Sequence, residues 1–180
     1  MHVYVLRGAP RSGKSTLVRV FKKMFNDVEV VSADDYWTGP AGLYSYDMDF
    51  EPEAHCFCFR RFMFELDSRR EVIVVDNTCS RILEAAPYML AAASDGYLAK
   101  LVTVMCSVET MIERNKQSSR GPLPENIIHT MAARIAAADP PPWWKHSEWD
   151  EKSLDEACKL FKVDPASPDN DDVERRQLNG

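Results

Sequence analysis

Eight residues near the amino terminus, Gly8-Ala9-Pro10-Arg11-Ser12-Gly13-Lys14-Ser15, match G-x-x-x-x-G-K-[ST] at every specified position and run on into Thr16. Glycines at those places let backbone N–H groups converge on a phosphate, and the first turn of a helix adds the positive end of its dipole. The lysine of such a loop pairs with β- and γ-phosphate oxygens, and the hydroxyl that follows ligates Mg²⁺. The expected chemistry is binding of a nucleoside triphosphate, ATP first, by the run from Gly8 to Thr16. Lys14 then serves also as a charge clamp in transfer, and Ser15 as a metal ligand. The alternative, a chance glycine turn, needs the strand-like run before the loop and the helix-like run after it both to be accidents.

Two acidic signals belong with that loop. Asp76 ends the apolar run Val72-Ile73-Val74-Val75, where a carboxylate leaving a strand beside the phosphate loop can hold the metal or its water, as a Walker-B aspartate does. Its alternative is an N-cap for the next helix. Ser32-Ala33-Asp34-Asp35-Tyr36 follows a second strand-like run, which puts two carboxylates at the carboxyl edge of a sheet, where open α/β folds bind ligands. One carboxylate within reach of an attacking hydroxyl is what phosphoryl transfer to an alcohol needs. On spacing alone Asp34 and Asp35 are equal candidates, and helix capping is the alternative for either.

The segment from Met111 to Pro124 carries Arg114, Lys116 and Arg120 between two helix-like runs. It suits a lid whose arginines stabilise charge developing on the transferred phosphoryl group. A solvated basic face is the competing reading. His55, Cys56 and Cys58 lack the second ligand pair of a zinc site and read as packing residues. Trp143-Trp144, after three prolines, either stacks bases or pins the following segment.

The elements that must hold these residues are legible in outline. His2 to Arg7 reads as a buried strand, Lys14 to Phe25 as an amphipathic helix and Val28 to Ser32 as a strand. Pro52 to Arg69 reads as an aromatic-rich helix and Glu71 to Asp76 as a central parallel strand. Ser80 to Ser94 is the next helix and Tyr97 to Cys106 the next strand. Helices follow at Val108 to Lys116, Glu125 to Ala138 and Ser153 to Phe161. Strands alternating with helices predict an α/β fold, a central parallel sheet with helices on both faces and a helical lid. The expected organisation is one kinase-like domain over residues 1–163 and an acidic, disordered tail over 164–180.

Composition sets the outer bounds. The 180 residues are 45% hydrophobic and 28% charged, enough for one ordinary core. No apolar run reaches the ~18 to 20 residues of a membrane span, and the start lacks signal-peptide character. Five scattered cysteines, an odd number, favour reduced thiols and an intracellular, cytoplasmic or nuclear setting. The net charge of −6 argues at first against a nucleic-acid partner. From Asp150 onward, however, nine acids face five bases, leaving 19 acids against 17 bases in the rest. The body is nearly neutral, and charge decides nothing about nucleic acid.

Four blocks in order, GAPRSGKST, SADDY, VIVVDNT and ERNKQSSRGPLPENIIHTM, resemble the polynucleotide 5′-kinase group of P-loop kinases, relatives of bacteriophage polynucleotide kinase. More loosely they resemble the zeta-toxin kinases, with an AAA-type ATP-binding domain. The resemblance spans about Val3 to Ala138. It implies transfer of the ATP γ-phosphate to the 5′ end, as 5′-hydroxyl first, of RNA or DNA. It maps the general base to Asp34, the loop lysine and serine to Lys14 and Ser15, the strand-end acid to Asp76, and the lid arginines to the region of Arg114 and Arg120. Asp35, Trp37, Asn77 and Thr78 fall on the acceptor side. Where the phage-type enzyme has an arginine shortly after DDY, this chain has Trp37. The chain also ends without the phosphatase domain of the phage enzyme, so no 3′ end-healing is expected. Two further readings remain: a kinase of a small hydroxyl compound such as a sugar, nucleotide or antibiotic, and a non-catalytic module gated by ATP.

Overall fold

The computed structural model describes residues 1–38, 44–118 and 121–165. Five strands form one parallel sheet: β1 (His2–Arg7), β2 (Val28–Val31), β3 (Val72–Val75), β4 (Leu98–Val104) and β5 (Lys145–Trp149), in the order β2-β3-β1-β4-β5. The unbroken valine and isoleucine of β3 are buried on both faces, as a strand covered from two sides requires. Six helices complete the frame: α1 (Lys14–Met24), α2 (Glu51–Asp67), α3 (Ile82–Ser94), α4 (Val108–Lys116), α5 (Glu125–Ala136) and α6 (Glu151–Phe161).

The sheet separates two cores. On one face Val3, Val5, Ile73, Val75 and Leu101 meet α2 and α3 through Cys58, Phe62, Leu66, Ala85 and Met89. On the other face Leu6, Val74, Val102 and Val104 meet α1 and α6 through Leu17, Phe21, Leu154 and Cys158. A third cluster, Ala9, Met111, Ile128 and Ile135, seats the α4–α5 pair on the phosphate loop. The α/β architecture read from the sequence is the one observed.

The boundaries differ in places for local reasons. Helix α3 starts at Ile82, two residues later than expected, because Glu84 Oε2 accepts from the Arg81 N–H (3.3 Å) and closes the first turn there. Strand β5 was not anticipated: Lys-His-Ser-Glu-Trp is short and polar, as suits an edge strand with only β4 beside it. Its register, Lys145 against Lys100, puts Trp143 and Trp144 at the amino edge of the sheet, opposite the phosphate loop. Trp144 packs on the α2–α3 core while Trp143 is exposed, so Trp144 anchors the start of β5 and Trp143 does not. The expected tail falls mostly on residues outside those described. All five cysteines are free thiols. Among the described residues no helix is long and apolar enough to cross a membrane, and no three or more His, Cys, Asp or Glu side chains gather as a metal-binding cluster. His55 and Cys56 are exposed, whereas Cys58 is buried and accepts from Tyr88 and Asn77.

Candidate active site

The carboxyl ends of β1, β2 and β3 lie side by side, so the loop after β1 and the acids after β2 and β3 share one edge. The loop turns because Arg11 (φ 68°) and Gly13 (φ 108°) adopt left-handed backbone, the geometry that aims successive N–H groups into one concavity. A side chain on Gly8 would lie 2.6 Å from Ser12 Oγ and 3.0 Å from the Val104 carbonyl, and one on Gly13 would lie 2.8 Å from Leu154 Cδ2. Gly8 is thus crowded by Ser12 and the Val104 carbonyl, Gly13 is required first by its left-handed backbone, and the loop is a cradle that fits a nucleotide's phosphates. Its outer wall is held by the Gly8 N–H, which donates to the Thr78 carbonyl (2.9 Å).

Lys14 arches back over the loop and donates to the carbonyls of Gly8 (2.8 Å) and Ala9 (3.0 Å). Loss of water pulls its ammonium below the ordinary lysine range, opposed by the charges of Asp76 and Asp34, in that order. Those two carboxylates, from different strand ends, thus both bear on the one lysine. Ser15 is exposed in the first turn of α1, next to Lys14 in the chain. A serine hydroxyl and a carboxylate around a phosphate cradle are a hard-oxygen donor set that suits Mg²⁺.

The paired aspartates have divided environments. Asp35 is locked by Arg61 of α2, whose other nitrogen binds Glu29 Oε1 (2.8 Å). Asp34 is exposed on the 3₁₀ turn Ala33–Trp37, capped by Ser32 Oγ accepting from the Asp34 N–H (3.2 Å). Asn77 sits beneath: its Oδ1 accepts from the Ala33 N–H (2.9 Å) and its Nδ2 contacts Tyr88 OH and Cys58 Sγ. The Asp76 N–H donates to the Val31 carbonyl and Ser32 Oγ donates to the Asp76 carbonyl. Asn77 and Trp37, both 7% exposed, therefore belong to the floor under the acid pair, and Thr78 to the loop's wall.

Arg114 of α4 grips the phosphate loop from the lid side, donating to the carbonyls of Arg11 (3.2 Å) and Ser12 (3.4 Å), with Glu151 of α6 at 3.8 Å. Next to it, buried Asn115 clamps the lid loop by both amide atoms: Nδ2 to the Leu123 carbonyl (2.7 Å) and Oδ1 from the Leu123 N–H (3.0 Å). Arg11 reaches the same loop through Asn115 Oδ1 and the Gly121 carbonyl. Arg120 lies outside the described residues.

Three residues carry weight that the sequence did not single out. Arg61 reaches Asp35 and Glu29 only because α2 packs against the β2 edge. Arg7, 2% exposed, donates to the Ile135 carbonyl at the end of α5 (3.1 Å), and burial pulls its guanidinium below the usual range. Leu154, from a helix distant in sequence, fills the space that a side chain on Gly13 would need. Arg69 and Arg70 are paired as well, to Asp95 and to Glu65 and Asp27.

A family model described as an AAA domain, AAA_33, matches residues 3–138. The chain belongs to that AAA domain family. The family match ends before β5 and α6, which complete the sheet and cover α1 in this AAA domain. Human NEDD4-binding protein 2 is 31% identical over 93 residues, 52% of this chain but 5% of that protein. The AAA domain thus spans about one-twentieth of the length of that relative. Among solved structures, a chain of the Pnkp1/Rnl/Hen1 RNA repair complex superposes with a TM-score of 0.63 at 20% identity, over 76% of this chain and 45% of that one. A gluconokinase from Sinorhizobium meliloti 1021 gives 0.55 at 16% identity, over 99% and 90%. Both likenesses establish a P-loop kinase-like fold for the AAA domain.

Proposed function

We propose that this protein is an ATP- and Mg²⁺-dependent phosphotransferase that phosphorylates the 5′-hydroxyl end of RNA or DNA. The observation that carries the transfer chemistry is that the phosphate loop after β1 and the acids Asp34 and Asp76 after β2 and β3 lie along one carboxyl edge of the sheet. In this reading the cradle holds the ATP phosphates, and Lys14 neutralises charge on the β- and γ-phosphates. Ser15 and Asp76 would hold the metal, which would supply positive charge against the charge of the transfer. Asp34, the exposed acid of the pair, accepts the proton of the attacking hydroxyl as that oxygen bonds to the γ-phosphorus and ADP leaves. Arg114 braces the loop from above, and Arg120 is assigned to the transferred group. A nucleic-acid acceptor is supported by the four sequence blocks and by the fold likeness to a chain of an RNA repair complex.

The likeness to a gluconokinase over nearly the whole chain favours a second reading, a small polyhydroxyl acceptor. Transfer of labelled γ-phosphate to a panel of 5′-hydroxyl RNA, 5′-hydroxyl DNA, 5′-monophosphate RNA and a metabolite pool separates them. Label on an oligonucleotide, lost in Asp34→Asn, is the expected result; label on a metabolite alone overturns the nucleic-acid acceptor.

A further inference from the structure

Beside Asp34 lies an aromatic surface that the transfer chemistry does not use. Trp37 is its buried centre, with Tyr36 edge-on (ring centroids 5.0 Å apart, 90°) and Tyr46 on its other side (5.2 Å, 64°). Tyr36 also leans on Phe57 of α2 (5.9 Å). The Ser45 N–H donates to the Trp37 carbonyl (3.0 Å), and Thr38 bridges Tyr44 in antiparallel fashion, which holds the second tyrosine against the first segment. The rings remain open to solvent, Tyr36 at 40% and Tyr46 at 52% exposure. Such area is costly to leave in water, and here it is braced from behind.

Position and charge narrow what the surface receives. Tyr36 is two residues from Asp34 on the same 3₁₀ turn. The Tyr46 phenol is held above its ordinary range, first by loss of water and then by the charges of Glu51, Asp34 and Asp47. Asp47 and Glu51, whose charges reach the Tyr46 phenol, are exposed, and the nearby Arg61 is committed to Asp35 and Glu29. A phosphate brought against this wall meets repulsion. A flat, uncharged π-face does not, and stacking of a nucleobase on an exposed aromatic ring needs no cation.

Resting on the 5′-kinase reading, we propose that Tyr36 and Tyr46, braced by Trp37, stack the terminal nucleobase of a single-stranded acceptor. The acceptor is then held by its terminal nucleoside more than by its phosphates, with the 5′-hydroxyl delivered to Asp34. Both tyrosines are binding residues for specificity and take no part in the proton transfer.

The test is binding without turnover: fluorescence anisotropy of 3′-labelled 5′-hydroxyl hexanucleotides, without ATP, ending in adenosine or in an abasic ribose. Wild-type protein should prefer the base-bearing end by about 5- to 150-fold, the range of one stacked base. Tyr46→Ala and Tyr36→Ala should each reduce that preference, and Tyr46→Phe, which keeps the ring, should retain it. Free adenosine should compete and gluconate should not. Equal binding of both ends, a preference that survives in both alanine variants, displacement by gluconate alone, or no binding overturns the proposal. The transfer assay reads the parent reading separately. Ring-dependent binding without transfer sinks the 5′-kinase and leaves the stacking wall, whereas transfer indifferent to the terminal base does the reverse.

Discussion

The guanidinium of Arg61 holds Asp35 and Glu29 together, so two adjacent aspartates that look alike in sequence stand in different surroundings. Asp34→Asn should lower transfer by about 10²- to 10⁴-fold, the usual contribution of a general base, while ATP affinity stays nearly unchanged. Asp35→Asn should instead cost about 1 kcal/mol of stability, given the part-exposed arginine, and reduce transfer only partly. Steady-state kinetics beside urea denaturation checks both. Equal catalytic loss in the two variants would remove the distinction drawn between them.

Gly13→Ala combines a left-handed backbone with a Cβ 2.8 Å from Leu154 Cδ2, and it should abolish nucleotide binding. Leu154→Ala alone, at a residue 5% exposed, should destabilise by about 2–5 kcal/mol. The double variant should not regain binding, because trimming the leucine leaves φ at 108°. Titration with a fluorescent ATP analogue reads this, and recovery in the double variant would make the contact, not the backbone, the constraint.

Much of this frame was legible in the sequence, and the reasons are particular. The phosphate loop has a specified pattern and flanks, and β3 is apolar at every position, so both stood out. Strand β5 did not, because an edge strand needs no apolar run and Ser147 and Glu148 carry none of the expected signal. The roles of Asp34 and Asp35 were equal on spacing; only the packing of α2 against β2 brings Arg61 to the second of them. Leu154 and Gly13 are joined through a contact spanning most of the chain, which local periodicity cannot express.

Asn115 ties the lid loop to α4 by two bonds to Leu123. Asn115→Ala should therefore cost about 1 kcal/mol, since the exposed backbone of Leu123 can turn to water. It should lower kcat more than it raises the KM for ATP and speed proteolysis between Lys116 and Pro124. A loop cut no faster than in wild type would show that the clamp does not hold it.

His146 shares a hydrogen bond with Thr103 (2.9 Å between Oγ1 and Nε2), and its imidazole is held below the usual range, first by burial. The folded state therefore prefers the neutral ring. Its contribution is complete above the ordinary value near 6.5 and is lost as pH falls from there through the lower folded value. Urea midpoints should drop between pH 7.5 and 5.5, and His146→Gln should flatten that drop. An unchanged slope would assign it to other groups.

Arg11 occupies one of the unspecified positions of the phosphate loop, yet its side chain holds Asn115 and Gly121 at the base of the lid. The phosphate loop and the segment between α4 and α5 are thus joined by one residue. Any change in lid equilibrium caused by the triphosphate must be returned in kind. By thermodynamic reciprocity, the factor by which ATP alters acceptor affinity equals the factor by which the acceptor alters ATP affinity. A position that the motif leaves blank is thus the one whose side chain ties the phosphate loop to the α4–α5 connection.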